Sequence, residues 1–414
     1  MKKQLLYLII PTIFYADSLN QLLEYTNNSN MLIKAKELTV KSKQKEIESS
    51  KSSYFPTLDI GGSYQRFDEK TPNLAGDISN GYAKISFNIY NGGKDSSIVK
   101  QKKDELKITQ FDKLAFQKSL NLQIIQEFFT IKNIDSSLLA LEKKAKSLKA
   151  QLKRVEKFYD AKLSSKDEID KLQSYYDTNN YNIQSLKFHR LSVIKALELK
   201  VGKDISILDD SKFIKQSDLV WVIDESIKSL KAKDSSLKNL ANSIGSAYKP
   251  QINISDTYNI YDYGRTDNLH SAGLDNQNKI MLSVNLRLFD GGAISKNKQA
   301  IMINSQSLKS QIDYKIKEQK MLFDLSKSRI STSNLKIKSS LSALISAKST
   351  YKIIDEKYKA GIVDNIAYLD ALSIRTNAFS LYQKSLNDLE VAYAIYYFYS
   401  GKNIRNYIKK KEIK

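Results

Sequence analysis

The chain of 414 residues contains no cysteine. Disulfide scaffolds, thiol nucleophiles, zinc–thiolate sites and an acylated N-terminal cysteine are all excluded. Histidine occurs only at His189 and His270. Neither has a ligand partner at helical spacing, so both read as solvated side chains. Four prolines serve the whole chain, and none, nor any glycine, lies between Gly93 and Gly202. Proline is the main breaker of helix interiors, so its scarcity permits long helices. No stretch approaches twenty apolar residues, which leaves no ordinary helical membrane span. The glycine pairs lack the contexts of a phosphate-binding loop, and no nucleophile–base arrangement stands out. The sequence therefore implies no enzyme, no metal and no cofactor.

Lys2 and Lys3 precede an apolar run from Leu5 to Tyr15, and Ala16 follows. That order is expected of a secretory signal peptide over residues 1–16, although Phe14 fits a cut after Ala16 poorly. A hydrophobic content of 41% argues against a disordered chain, and the formal charge is +21. A polyanion-binding protein is one reading of that charge. The lysines are spread rather than clustered and no nucleic-acid motif accompanies them, so solvated helix faces explain them better.

The most informative stretch occurs twice. YAKISFNIYNGG runs from Tyr82 to Gly93, and IMLSVNLRLFDGG from Ile280 to Gly292. Each is an alternating strand that stops at a glycine pair, Gly92-Gly93 or Gly291-Gly292, and then opens a long helical pattern. The first repeat is expected over 17–218. It has a helix, strands at 57–67 and 82–90, a long helix 94–159, a return helix 165–201 and a connector. The second is expected over 219–414, with a helix, strands at 251–261 and 279–289, helices 293–359 and 364–400, and a basic tail. Gly92 and Gly291, Tyr159 and Tyr358, and Gly202 and Gly401 all keep an offset of about 199 residues. Leu138, Leu141, Ala145, Leu148, Leu152, Val155 and Tyr159 step by three and four, a coiled-coil seam. The whole helix over 94–159 would reach about 100 Å.

Four amphipathic strands of bilayer-crossing length cannot close into a barrel alone, and open edges are not tolerated in lipid. Pooling of strands between identical chains is the expected solution. A competing reading is a trimeric coiled-coil stalk or adhesin anchored in the outer membrane.

With the YxP strand openings at Tyr54-Phe55-Pro56 and Tyr248-Lys249-Pro250, the NGG and DGG junctions, LELKVG at 197–202, YKAGIV at Tyr358 to Val363 and YLDA at Tyr368 to Ala371, the chain resembles the TolC-like outer-membrane factors. The resemblance spans essentially the whole mature chain. It implies long antiparallel α-helical hairpins forming a periplasmic tunnel, and four β-strands per chain contributing to a twelve-stranded barrel in a homotrimer. It implies a duct in the outer membrane of a Gram-negative bacterium, serving efflux or type I secretion. Its partners would be a periplasmic adaptor, an inner-membrane pump of RND, ABC or MFS type, and outer-membrane lipid, with no nucleic acid.

The same resemblance assigns candidate positions. The hairpin turns Ala161, Lys162, Leu163 and Ser164, and Ala360, Gly361, Ile362 and Val363, would contact the adaptor. Lys162 stands where the family has glycine, so a different backbone is expected there. Asp370 falls at an acidic gate position, with Asp364 as a substitute; Ala367 occupies the other acidic position. Strand alternation makes Ile85, Phe87, Ile89, Leu282, Val284 and Leu286 lipid-facing, and Lys84, Asn88, Ser283, Asn285 and Arg287 lumen-facing. Tyr82, Tyr90, Tyr258 and Tyr261 suit an aromatic girdle.

Overall fold

The computed structural model describes residues 17–69, 75–205, 207–216, 218–265 and 273–409. The expected signal peptide, His270 and the last residues of the basic tail lie outside these. The elements follow in chain order as α1 (Leu19–Ser29), α2 (Met31–Lys51), β1 (Thr57–Arg66), β2 (Asp77–Asn91), α3 (Lys94–Asp160) and α4 (Lys166–Val201). Then come α5 (Glu225–Gly245), β3 (Gln251–Gly264), β4 (Asn276–Asn285), α6 (Ala293–Lys359) and α7 (Asn365–Tyr399). The second half thus repeats the first. The repeat extends to pairing: Leu58 lies opposite Ile85 as Ile252 lies opposite Val284.

The chain divides into two compact units, one of residues 36–112 and 226–315, the other of 1–35, 113–225 and 316–414. The first unit holds the sheet, a single antiparallel layer in the order β1-β2-β3-β4. Its helices are joined by polar contacts. Asp104, nearly buried on α3, accepts from Ser235 at 2.6 Å and Asn239 at 2.8 Å on α5. Lys43 and Lys102 share Glu46 and Glu105 between α2 and α3.

The second unit carries the main apolar core. Leu19, Leu22 and Leu23 of α1 meet Ile124, Phe128 and Ile131 of α3, Leu197 and Val201 of α4, and Tyr396 and Tyr397 of α7. Further along the hairpins, the seam residues Leu148 and Val155 bury against Leu172, Tyr368 and Leu372. Leu138 packs with Ile134 and Ile183.

Three departures from the sequence pattern have local causes. The first helix breaks at Asn30, whose side-chain oxygen accepts from Leu32 N at 2.9 Å and Ile33 N at 3.1 Å, restarting the helix as a cap does. Its amide also donates to Lys200 O at 2.6 Å, which fixes the break against α4. Residues from Leu219 are not helical until Glu225, because Val222 N donates to Ser400 O at 3.0 Å and Leu219 N to the Tyr396 hydroxyl at 3.0 Å. β4 stops at Asn285 although the alternation continues to Leu288, because Asn285 lies opposite Gln251, the first residue of β3. Beyond it stands Pro250, which has no N–H to give.

Candidate pore surface and hairpin turns

Cross-strand partners share a face of a sheet, so the register assigns sides to every strand. Leu58, Ile60 and Tyr64 of β1, Ala83, Ile85 and Phe87 of β2, Ile252, Ile254, Tyr258 and Ile260 of β3, and Ile280, Leu282 and Val284 of β4 fall on one side. Ile60 is 82% exposed and Val284 65%, so this apolar face has no cover within the chain. Asp256 interrupts it, between Ile85 and Ile280 on the flanking strands. The other side is polar: Lys84, Asn88, Ser255, Asn259 and Ser283 belong to it.

Ile89 stands at a bulge, where pairing shifts between Asn88 and Tyr90. The shift brings Tyr90 opposite Ile252, onto the apolar side, and leaves Ile89 without a cross-strand partner. Tyr82 and Tyr261 lie on the polar side. Leu286 and Arg287 lie past the end of β4.

The strand-to-helix junctions are built alike. Gly92, Gly93, Gly291 and Gly292 all have φ between 70° and 87°, the left-handed region that side chains avoid. The preceding residue caps the helix: Asn91 accepts from Asp95 N at 3.3 Å, and Asp290 from Ile294 N at 2.9 Å. Tyr248 adds its hydroxyl to Asp290 at 2.5 Å. The physical content of the NGG and DGG motifs is therefore a capping side chain followed by a two-residue left-handed bend.

The hairpin turns are also alike, and here the expectation for Lys162 needs correction. Lys162 has φ 60° and Gly361 φ 74°. Lys162 N donates to Tyr159 O at 2.8 Å and Leu163 N to Phe158 O at 2.7 Å. Gly361 N donates to Tyr358 O at 3.1 Å and Ile362 N to Lys357 O at 2.9 Å. Both are Schellman caps with the left-handed residue at C′. The backbone is conserved between the turns, and the lysine simply carries the strain that glycine avoids.

Ala161, Leu163, Ala360 and Ile362 are exposed, and Ser164 and Val363 partly so. Ser165 sits at the start of α4, yet its hydroxyl contacts Asp167 rather than a helix N–H. Asp364 caps α7, accepting from Ala367 N at 2.9 Å. Asp370 is exposed between buried Leu369 and Ala371.

Sequence reasoning missed the aromatic clasp behind these turns. Tyr358 stacks on Tyr368 with centroids 4.9 Å apart, and burial holds the Tyr368 hydroxyl far above the ordinary phenol range. The Arg154 guanidinium lies 5.8 Å from the Tyr358 ring and donates to Lys359 O at 2.9 Å, tying α3 to the end of α6. Arg375 sits 3.7 Å over Tyr351. A cleft of about 320 Å³ opens beside it, lined by Lys143, Lys348 and Phe379 among others. The available signal was arginine itself, which supplies eight of the 66 basic residues. Lysines also sit over rings, as Lys327 does 4.5 Å from Phe323, but a planar guanidinium can lie flat on a ring while it donates hydrogen bonds, so a rare arginine in a lysine-rich chain is a signal for such a place.

Residues 22–179 match the family model described as outer membrane efflux protein. The fold as a whole is similar to that of solved outer-membrane proteins and channels. VceC from Vibrio cholerae is 13% identical, with a TM-score of 0.79 over 93% of this chain and 96% of that one. CmeC from Campylobacter jejuni is 16% identical, with a TM-score of 0.81 over 95% and 87%. The open state of MtrE from Neisseria gonorrhoeae also aligns, at 13% identity and a TM-score of 0.77 over 93% and 89%. No curated protein matches by sequence. Over residues 22–179 the chain is thus similar to outer membrane efflux proteins, and along nearly its whole length it shares the fold of these solved structures. No described helix is long and apolar enough to cross a membrane.

Proposed function

We propose that three copies of this chain pool their sheets into one barrel and act as the passive exit duct of a tripartite efflux or type I secretion system. The observation that carries this reading is the four-stranded sheet with one uncovered apolar face, interrupted at Asp256, and two open edges, β1 and β4. Open strand edges leave backbone N–H and C=O groups unpaired, at a cost of several kcal/mol each in hydrocarbon, or roughly that. Closure between chains removes the edges. The apolar side then meets lipid and the polar side lines the lumen, while the two repeats supply equivalent hairpins to the periplasmic tunnel.

In this reading the turns at 161–164 and 360–363 meet the adaptor, and the pump lies in the inner membrane. Asp370 is the gate carboxylate, because it is exposed early in α7 while Asp364 is engaged as a cap. The chemistry of the cargo belongs to the pump. The deciding measurement is conductance of the purified oligomer in planar bilayers, with its mass before and after boiling. A heat-sensitive species of three chains with unitary currents supports the duct. A monomer extracted by salt alone and giving no current refutes it.

A further inference from the structure

The polar side of the sheet is mostly amide and hydroxyl, and its charges are few. On that side Asp59 is paired with Lys84, Lys84 with Thr257, and Thr257 with Lys279. These are successive partners in one cross-strand row running across all four strands. The other residues on that side of the same strands include Ser63, Gln65, Asn80, Ser86, Asn88, Asn253, Ser255, Asn259, Gln277 and Ser283, all uncharged. None of the described ion pairs uses Asp59, Lys84 or Lys279. Lys279 is exposed and Lys84 partly so.

We propose that Lys84 and Lys279 form a cationic band in the barrel lumen that selects for anions and binds polyanions, a specificity element separate from the Asp370 position. The inference rests on the trimeric-duct reading above. Strands lie about 4.8 Å apart, so two strands place the lysines about 10 Å from one another across the sheet. That is about one Debye length at 0.1 M salt, close enough for their potentials to add. Each chain contributes two lysines against one aspartate to the row, and symmetry repeats that excess around the lumen. Water-excluding barrel walls focus such a field, and rings of lysine favour anions in pores. Phosphorylated or carboxylated solutes are the chemical class that would gain, through Coulombic attraction and hydrogen bonds from the ammonium groups.

The test uses the full-length oligomer in planar bilayers at about 0.1 M KCl, where screening is modest. Inositol hexakisphosphate is added on the barrel side, and reversal potentials are read in a salt gradient. In the parent channel the polyanion should block. In the Lys84→Gln/Lys279→Gln variant the blocking concentration should rise by about tenfold, and the permeability ratio should move toward cations. Asp59→Asn should move both readouts the other way, and the parent's block should fade at about 1 M salt. Lys279→Gln alone, on the edge strand, provides a milder variant if the double change impairs assembly. Normal currents whose block and reversal potential ignore all three substitutions overturn the cationic band while leaving the duct standing. Absence of any current overturns the duct itself, and the band with it.

Discussion

The paired hairpin turns offer a comparison with an internal control. Lys162 and Gly361 occupy equivalent left-handed positions, with the same hydrogen bonds on either side. A side chain in that region costs about 1–2 kcal/mol, whereas glycine gives back about 0.5–1 kcal/mol through its freer unfolded state. Lys162→Gly should therefore stabilise its turn by about 0.5–1 kcal/mol, and Gly361→Ala should destabilise the other by a similar amount. A Cβ added at Gly361 meets nothing within 4 Å, so no clash adds to the backbone term. The readout is hydrogen exchange at Leu163 N and Ile362 N, whose bonds to Phe158 O and Lys357 O close the two caps. Exchange should slow about two- to fivefold at the first and quicken by the same factor at the second. Lys162→Asn should fall between lysine and glycine, because asparagine tolerates this backbone, and it separates the backbone effect from loss of charge. Opposite signs at the two turns are the essential outcome. If Lys162→Gly speeds exchange at Leu163, the strain argument is wrong.

Other consequences concern the core, the connector and the gate. Leu148 is fully buried in the seam, so Leu148→Ala should cost about 2–5 kcal/mol, visible as a lowered unfolding midpoint of the helical signal. Glu390 is buried beneath the connector and accepts from Phe213 N at 2.6 Å; burial raises its pKa despite the nearby Lys215 and Lys212. A carboxyl with a raised folded-state pKa contributes stability below its unfolded value of about 4.5 and loses it as pH climbs through the folded value. The melting temperature should accordingly fall with rising pH between about 4.5 and the folded-state value and level off beyond it, and Glu390→Gln should flatten that fall. Asp370→Asn should shift the permeability ratio toward anions about two- to threefold and weaken block by multivalent cations. Unaltered selectivity would remove Asp370 from the gate.

Much of this fold was legible because its signals are periodic. The 3.5-residue seam from Leu138 to Val155, the strand alternation and the glycine pairs each state a geometry directly. What stayed hidden depends on contacts between distant segments. Asn30 breaks a helix because Lys200 O is beside it, and Leu219 avoids a helix because Tyr396 and Ser400 hold that segment. The sides of the sheet required register, and the bulge at Ile89 could not be seen from alternation that continues unbroken through Tyr90. For the turns, motif likeness pointed to the right residues and misjudged the backbone at Lys162. The left-handed conformation is imposed by the cap and costs little enough for lysine to bear.

The early end of β4 has a further implication for how copies would join. Within the chain, the second strand of one repeat meets the first strand of the next, as β2 meets β3, with Phe87 opposite Ile254 and Ala83 opposite Tyr258. The repeat offsets, about 199 for second strands and about 194 for first strands, carry those pairs to Leu286 opposite Ile60, and Leu282 opposite Tyr64, of another copy. Leu286 lies past the observed end of β4, which is expected if its partner strand belongs to a neighbouring chain. The absence of native cysteine gives a clean background for testing this joint. A Leu286→Cys/Ile60→Cys variant should form a disulfide ladder ending at three linked chains under mild oxidation, because directly opposed strand residues sit about 4.5–5.5 Å apart at Cβ. Leu286→Cys/Asp59→Cys, with the second cysteine on the other side of β1, should link poorly. Equal linking of both pairs, or none from either, would refute the repeat-derived register.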